Sequence, residues 1–364
     1  MRIAFDQTAF VLQEYGGLSR YLSRLAQSLS VQPQTQARIF APLHINAHLA
    51  GLPSNLAFGW RVPRIPKTGR LMRAVSRRAA RIAIARYHPD ILHESYYTAD
   101  AYAPRSARRV VTVLDMIHER FPESFAATDP TSEWKRLSVA RADHVLCISA
   151  STRHDLLELF GTPPERVTTV HLGFDLPSPA PAIDSRNSPP YLLYVGQRGG
   201  YKNFSGFLRA YAGSPWLKHE FSVVCFGGGA FSAAEVAQFS ELGLEASRIV
   251  QRSGDDRRLA RSYRQAALFV YPSQCEGFGI PPLEAMSQDC PVACGNTSSL
   301  PEVAGDAAEY FDPDDADAMR GALERVLNSP HRRDELIRRG RARLALFSWE
   351  KCAVETLAVY RNLL

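Results

Sequence analysis

Short apolar, β-branched runs alternate with longer stretches of helical spacing along almost the whole chain, and no other feature limits its fold so tightly. In the first half the runs are RIAFD (2–6), ARIFA (37–41), DILHE (90–94), RVVTVL (109–114), HVLCIS (144–149) and VTTVHL (167–172). Between them, segments such as LSRYLSRLAQSLS place Leu18, Tyr21, Leu22, Leu25 and Leu29 at helical intervals. Strands that alternate with helices predict parallel sheets with helices on both faces. Residues 173–190 break the rhythm with five prolines and no apolar period, and read as a linker. A second series follows: YLLYVG (191–196), FSVVCFG (221–227), SRIVQ (247–251), ALFVYP (267–272), CPVAC (290–294) and AAEYF (307–311). The pattern predicts an α/β protein of two Rossmann-like domains, with ligands outside the carboxyl ends of the strands. The last segment, FSWEKCAVETLAVYRNLL, predicts a helix.

Bulk properties agree and exclude several classes. A chain of 364 residues exceeds one ordinary core, so two domains are expected. No run approaches 18 apolar residues, which argues against a membrane-spanning helix. Asp6 interrupts the N-terminal run where a secretory signal needs apolar residues, so a cytoplasmic protein is expected. The six cysteines lie apart, several inside apolar runs, and read as reduced thiols rather than a disulfide or zinc framework. Residues 1–172 carry 22 Lys/Arg against 14 Asp/Glu, and the remainder 21 against 23. A basic first half points to an anionic partner.

The most informative stretch is ALFVYPSQCEGFGIPPLEAMSQDCPVA. A strand runs into Glu276-Gly277-Phe278-Gly279, then Pro281-Pro282 and a helix beginning near Leu283, with Glu284 in its first turn. The glycines allow close backbone approach to a ligand. A helix N-terminus offers donors and partial positive charge to a phosphate. Glu276, in the loop, can accept from sugar hydroxyls. Glu284 can hold a ribose diol with two acceptor oxygens, or it can serve only the helix dipole.

Glu276 and Glu284, with seven residues between them and followed by PVACGNTSSLPEVAGDAAEYFDPDD, resemble the signature of retaining family 4 glycosyltransferases with the GT-B fold. The resemblance extends from GGLSRYLSRLAQSL to SWEKCAVETLAVY. It implies two parallel-sheet Rossmann-like domains facing a central cleft, with the C-terminal helix crossing back to the first domain. On that template residues 1–172 form the acceptor-side domain, 173–190 the linker, 191–345 the nucleotide-sugar domain and 346–364 the last helix. The family places a diphosphate-binding Arg/Lys pair in YLLYVGQRGGYKNF. Lys202 matches the lysine, Tyr201 stands where the adjacent arginine usually lies, and Arg198 is the expected substitute. Two cations there would stabilise charge growing on the leaving diphosphate. Gly16 and Gly17, alone only a turn, match the loop lining the cleft from the first domain. Many relatives carry His-Asp at the end of VVTVL; here Leu114 occupies the histidine's place, Asp115 follows, and His118 is the candidate replacement.

The resemblance implies a retaining hexosyltransferase without a metal or other cofactor, the Arg/Lys pair replacing a cation. VGQRGGYKNF, LDMIHERFPE and FGGGAFS are similar to a subgroup of bacterial polysaccharide mannosyltransferases. Mannose from GDP-mannose is therefore the first expectation, a UDP-sugar the other, and a glycan or lipid-linked glycan the acceptor. Residues 61–86 hold nine Arg/Lys and no acid, with Leu71, Val75, Ala79 and Ile82 grouped as on a basic amphipathic helix. That segment suits the inner face of the cytoplasmic membrane, or is a solvated surface helix. Nucleic acid is not expected, since no recognised motif accompanies the charge. Other readings stay open: an epimerase or phosphorylase of the same shape, or a non-catalytic sugar-nucleotide-binding or membrane-scaffold protein. No lysine lies between Lys218 and Lys351 to hold a phosphorylase's pyridoxal phosphate.

Overall fold

A computed structural model describes residues 1–64, 67–100, 102–104, 106–175 and 189–364. Most of the expected linker, residues 176–188, lies outside the described residues, as do Ile65 and Pro66 of the basic segment. The chain divides into two compact units, the first Met1–Gly173 with Phe347–Leu364 and the second Phe174–Leu346.

The first unit is built on β1 (Arg2–Phe5), β2 (Gln36–His44), β3 (Ala57–Arg61), β4 (Ile91–Glu94), β5 (Arg108–Val113), β6 (His144–Cys147) and β7 (Val167–Thr169). They pair all-parallel in the order β3-β2-β1-β4-β5-β6-β7. The second unit contains β8 (Tyr191–Val195), β9 (Ser222–Phe226), β10 (Ile249–Arg252), β11 (Leu268–Tyr271), β12 (Val292–Gly295) and β13 (Ala308–Phe311). Their order is β10-β9-β8-β11-β12-β13, also parallel. Every expected strand is present, and β3 is an addition. Strands β4, β11 and β12 are buried at every residue, as both-face coverage by helices requires. In each sheet the chain winds outward from its first strand and then returns to that strand's other side. The reversal falls between β1 and β4 in one unit and between β8 and β11 in the other.

The helices end where local chemistry stops them. Ser149 accepts from the Thr152 amide to start helix Ala150–Phe160, and Gly161 in the left-handed region ends it. Ser232 and Glu235 form a reciprocal capping box on helix Ala233–Glu241. Helix Gly17–Ser30 turns Tyr21, Leu22, Leu25, Ala26 and Leu29 inward. The C-terminal helix Trp349–Asn362 packs on it within the first unit, so the chain does cross back. Its Tyr360 hydroxyl meets His93 Nδ1 at 2.5 Å; His93 Nε2 meets Thr112 at 2.9 Å, and Thr112 meets Tyr21 at 3.0 Å. Burial lowers the His93 pKa to about 3, so the ring is neutral. At the crossing, a Cβ on Gly173 would lie 2.3 Å from the Trp349 amide, leaving no room for a side chain. All six cysteines are buried, with no disulfide among them.

The basic segment forms helix Gly69–Tyr87, and its apolar residues do not face one way. Ser76, Ala80 and Ile84 point into the core, while Leu71, Val75 and Ile82 are 68%, 47% and 48% exposed. The arginines also divide. Arg81 and Arg77 turn to Asp100, whereas Arg70, Arg73, Arg78 and Arg86 stay exposed.

Candidate functional site

Open parallel sheets bind ligands where the strand order reverses, because the loops on either side diverge there. In the second unit the loops after β8 and β11 flank that point. They are tied directly, the Gln274 amide donating to the Tyr201 carbonyl at 2.8 Å. Beside this tie, Lys202 Nζ from the first loop lies 2.6 Å from Glu276 Oε1 of the second. Lys202 also reaches the Tyr271 hydroxyl at 3.5 Å and lies over the Tyr201 and Tyr271 rings. The pair keeps an open side: Lys202 is 19% and Glu276 10% exposed. Burial, then the Glu276 charge, pushes the Tyr271 phenol well above its ordinary pKa, so it remains a neutral donor.

The loop Glu276–Gly279 is fixed from behind by residues 298 and 299. Ser298 Oγ accepts from the Glu276 amide at 2.9 Å, and Ser299 Oγ donates to the Glu276 and Phe278 carbonyls at 2.9 and 2.8 Å. Gly279 sits at φ +101° and caps helix Ile280–Ser287. That helix starts three residues before the expected position, since proline fits an opening turn without its amide. Pro281 and Pro282 thus remove two of the first-turn donors, and an anion here must use the backbone ahead of them. Glu284 falls in the second turn, not the first. It is buried and accepts from the Tyr263 hydroxyl at 3.1 Å.

Arg198 does not stand as a free cation beside Lys202. Its side chain is 4% exposed and its Nε donates to Glu235 at 2.5 Å. Its terminal nitrogens donate to backbone carbonyls of the turn after β9. The family resemblance made it the partner of Lys202 on a diphosphate; the fold offers it a carboxylate and a ring of carbonyls instead.

In the first unit, Gly16 and Gly17 open helix Gly17–Ser30. A side chain at Gly16 would collide with the end of Gln13, and Gly17 faces open space. Asp115 lies just ahead of the short helix Ile117–Arg120, its carboxylate accepting from the Ile117 amide at 3.1 Å. His118, on that helix, stacks on Phe125 with ring centres 3.7 Å apart, and its Nε2 is 3.8 Å from Asp129. The loop is held by Lys135, whose ammonium donates to the Asp115 carbonyl at 2.9 Å and to Glu119 at 2.7 Å.

Sequence reasoning missed Tyr263, Tyr271, Ser298, Ser299, Glu235 and Lys135. The serines carried a signal, since NTSS precedes a helix where hydroxyls cap backbone groups. The tyrosines are apolar-run residues whose polar ends matter only once their neighbours are known.

The family model described as glycosyl transferases group 1 matches residues 180–343, and the one described as glycosyltransferase family 4 matches residues 15–177. The O-antigen chain mannosyltransferase B of Escherichia coli is 32% identical over 284 residues, 74% of this chain and 74% of that protein. Among solved structures, a sucrose-phosphate synthase from Thermosynechococcus elongatus aligns with TM-score 0.74 at 19% identity, covering 100% and 99% of the two chains. WaaG, a glycosyltransferase involved in lipopolysaccharide biosynthesis, aligns with TM-score 0.72 at 16% identity, covering 98% and 99%.

Proposed function

This chain belongs to the glycosyltransferases of family 4, with group 1 and family 4 domains and the GT-B architecture, and from that premise we propose a retaining mannosyltransferase acting in surface polysaccharide synthesis. The donor would be GDP-mannose, with a UDP-sugar as the competing choice, and the acceptor a glycan or lipid-linked glycan. The supporting relative is a mannosyltransferase of an O-antigen chain at 32% identity. The observation that carries the site assignment is the Lys202–Glu276 pair bridging the β8 and β11 loops at the reversal of strand order.

In this reading each charge of the pair serves the donor. Lys202 turns its ammonium to the diphosphate, where negative charge grows as the glycosidic bond breaks. Glu276, released from it, accepts from hydroxyls of the transferred sugar, and Glu284 holds the ribose. The Gly277-Phe278-Gly279 backbone lies against the diphosphate, and Gly16-Gly17 stay the candidate ligand-facing turn of the first unit. Asp115 and His118 are the first unit's own candidates for sugar contact. The leaving phosphate takes the acceptor proton in a front-side attack, with no metal required. Calorimetric titration with GDP-mannose, UDP-glucose, GDP and UDP tests this. Micromolar binding of one nucleotide class, lost in Lys202→Ala, is expected; folded protein that binds none of them would refute it.

The anionic partner of the first unit would be a membrane surface. Among the described residues no helix is long and apolar enough to cross a bilayer. Helix Gly69–Tyr87 instead exposes Leu71, Val75 and Ile82 amid the exposed Arg70, Arg73, Arg78 and Arg86, the arrangement of an interfacial helix. Serine at those three positions should abolish binding to phosphatidylglycerol vesicles. Undiminished binding would discard the membrane partner.

A further inference from the structure

Each glutamate of the Glu276 and Glu284 motif meets a buried tyrosine. Tyr271, on β11, is the neutral donor beside Glu276. Tyr263, in the last turn of helix Asp256–Gln265, donates its hydroxyl to Glu284 Oε2 at 3.1 Å. Tyr263 is 0% exposed, whereas Glu284 keeps 9% of its surface open. Burial, then the Glu284 charge, pushes the Tyr263 phenol well above its ordinary pKa, so the hydroxyl keeps its proton and faces the carboxylate as a donor. The ring is held in place on two sides. It packs edge-on against Phe269 of β11 with ring centres 5.2 Å apart, and Phe269 stacks on Tyr271 at 5.6 Å. The Tyr191 hydroxyl of β8 donates to the Ser262 carbonyl at 2.7 Å, which ties that helical turn to the sheet. Tyr263 precedes β11 and Glu284 follows it, so the phenol reaches the carboxylate from the core and not from the ligand loops at the strand's carboxyl end.

We propose that Tyr263 is a positioning residue that sets the Glu284 carboxylate for the vicinal hydroxyls of a ribose, so that the site selects ribonucleoside diphosphates over their deoxy counterparts. The inference rests on the reading of Glu284 as the group that holds the ribose. An ionised carboxylate offers about four acceptor positions on its two oxygens, and one phenol occupies one of them. Burying a charge merely to tie two helices is costly, since a well-packed apolar pair does as well there. What the phenol adds is orientation. It fixes the plane of the carboxylate ahead of binding, and a preset acceptor loses less freedom on meeting two hydroxyls. A ligand without those hydroxyls leaves the carboxylate short of partners in a nearly water-free place, a heavier penalty than a missing apolar contact. Donors built on deoxyribose are thereby disfavoured whatever sugar they carry.

The test is calorimetric titration of GDP and UDP, and of their 2′,3′-dideoxy forms, into wild type, Tyr263→Phe and Glu284→Gln, each checked for folding by circular dichroism. Tyr263→Phe removes one oxygen and keeps the ring on Phe269. Wild type should bind the ribose form of its preferred nucleotide about a hundredfold more tightly than the dideoxy form, the scale of two hydrogen bonds to a charged group. Tyr263→Phe should cut that preference about tenfold by weakening the ribose form alone. Glu284→Gln should cut it at least as far, and the double variant no further than Glu284→Gln, because the phenol acts through the carboxylate. A phenol that merely ties helices would move both forms together or neither. Equal weakening of both forms in Tyr263→Phe, a preference as large as that of wild type, or loss of the fold would therefore overturn the proposal and leave the donor reading standing. Wild type that binds ribose and dideoxy forms alike overturns it through Glu284, with the diphosphate site at Lys202 untouched. Wild type that binds no nucleotide removes the donor reading as well.

Discussion

Lys135 in the first unit and Lys202 in the second each lie against a glutamate, 2.7 Å from Glu119 and 2.6 Å from Glu276. The distances match, yet the surroundings differ. Lys135 is fully buried, donates also to the Asp115 carbonyl, and lies over the Tyr97 ring. Lys202 keeps a fifth of its side chain open, and its second polar contact is a long one to a phenol. A buried ammonium cannot trade partners without paying full desolvation. One near the surface can exchange a carboxylate for a phosphate at small cost. The same chemical pair is a fastening in one unit and the proposed ligand site in the other.

Replacing each lysine should separate these roles. Lys135→Met leaves Glu119 buried and uncompensated, and should cost about 3–5 kcal/mol of stability in guanidinium denaturation. A loss under about 1 kcal/mol would show that the first pair is as dispensable as a surface one. Glu276→Gln or Lys202→Met should instead lower kcat about 10²–10³-fold, with the denaturation midpoint close to wild type. Full turnover with either variant would dissolve the contrast from the other side.

His93 extends the comparison to protons. Its pKa falls from an ordinary 6.5 to about 3 on folding, so the unfolded chain binds the extra proton between those values. Stability contributed by the neutral ring is complete above pH 6.5 and declines as the pH drops toward 3. The slope should be at most about 1.4 kcal/mol per pH unit. Urea midpoints measured from pH 7 to pH 5 should fall in wild type and flatten in His93→Asn. Equal slopes would place the acid sensitivity elsewhere.

What the sequence disclosed follows from how local each signal is. Buried parallel strands are runs of adjacent apolar residues, so β1, β2 and β4 to β13 could be read directly. Strand β3 could not. Its AFGWR ends in exposed Trp60 and Arg61 at a sheet edge, and Gly59 presses on the Ala41 carbonyl. Glu276 and Glu284 lie in one contiguous motif, and Lys202 in another. The fate of Arg198 was hidden, because its partners lie about thirty residues downstream on β9's turn and the following helix. Periodicity likewise grouped Leu71, Val75 and Ile82 but not their direction. The core selected Ser76, Ala80 and Ile84 on the opposite stripe.

The crossing at Gly173 also sets an order of events during synthesis. The first unit is interrupted by the whole of the second, and its last helix is made from residues 349–362. A ribosome releases β1 to β7 long before Tyr360 can reach His93, so the first unit waits incomplete while the second forms. Loss of the final helix would thus fall on the domain synthesised earliest and spare the one synthesised just before it.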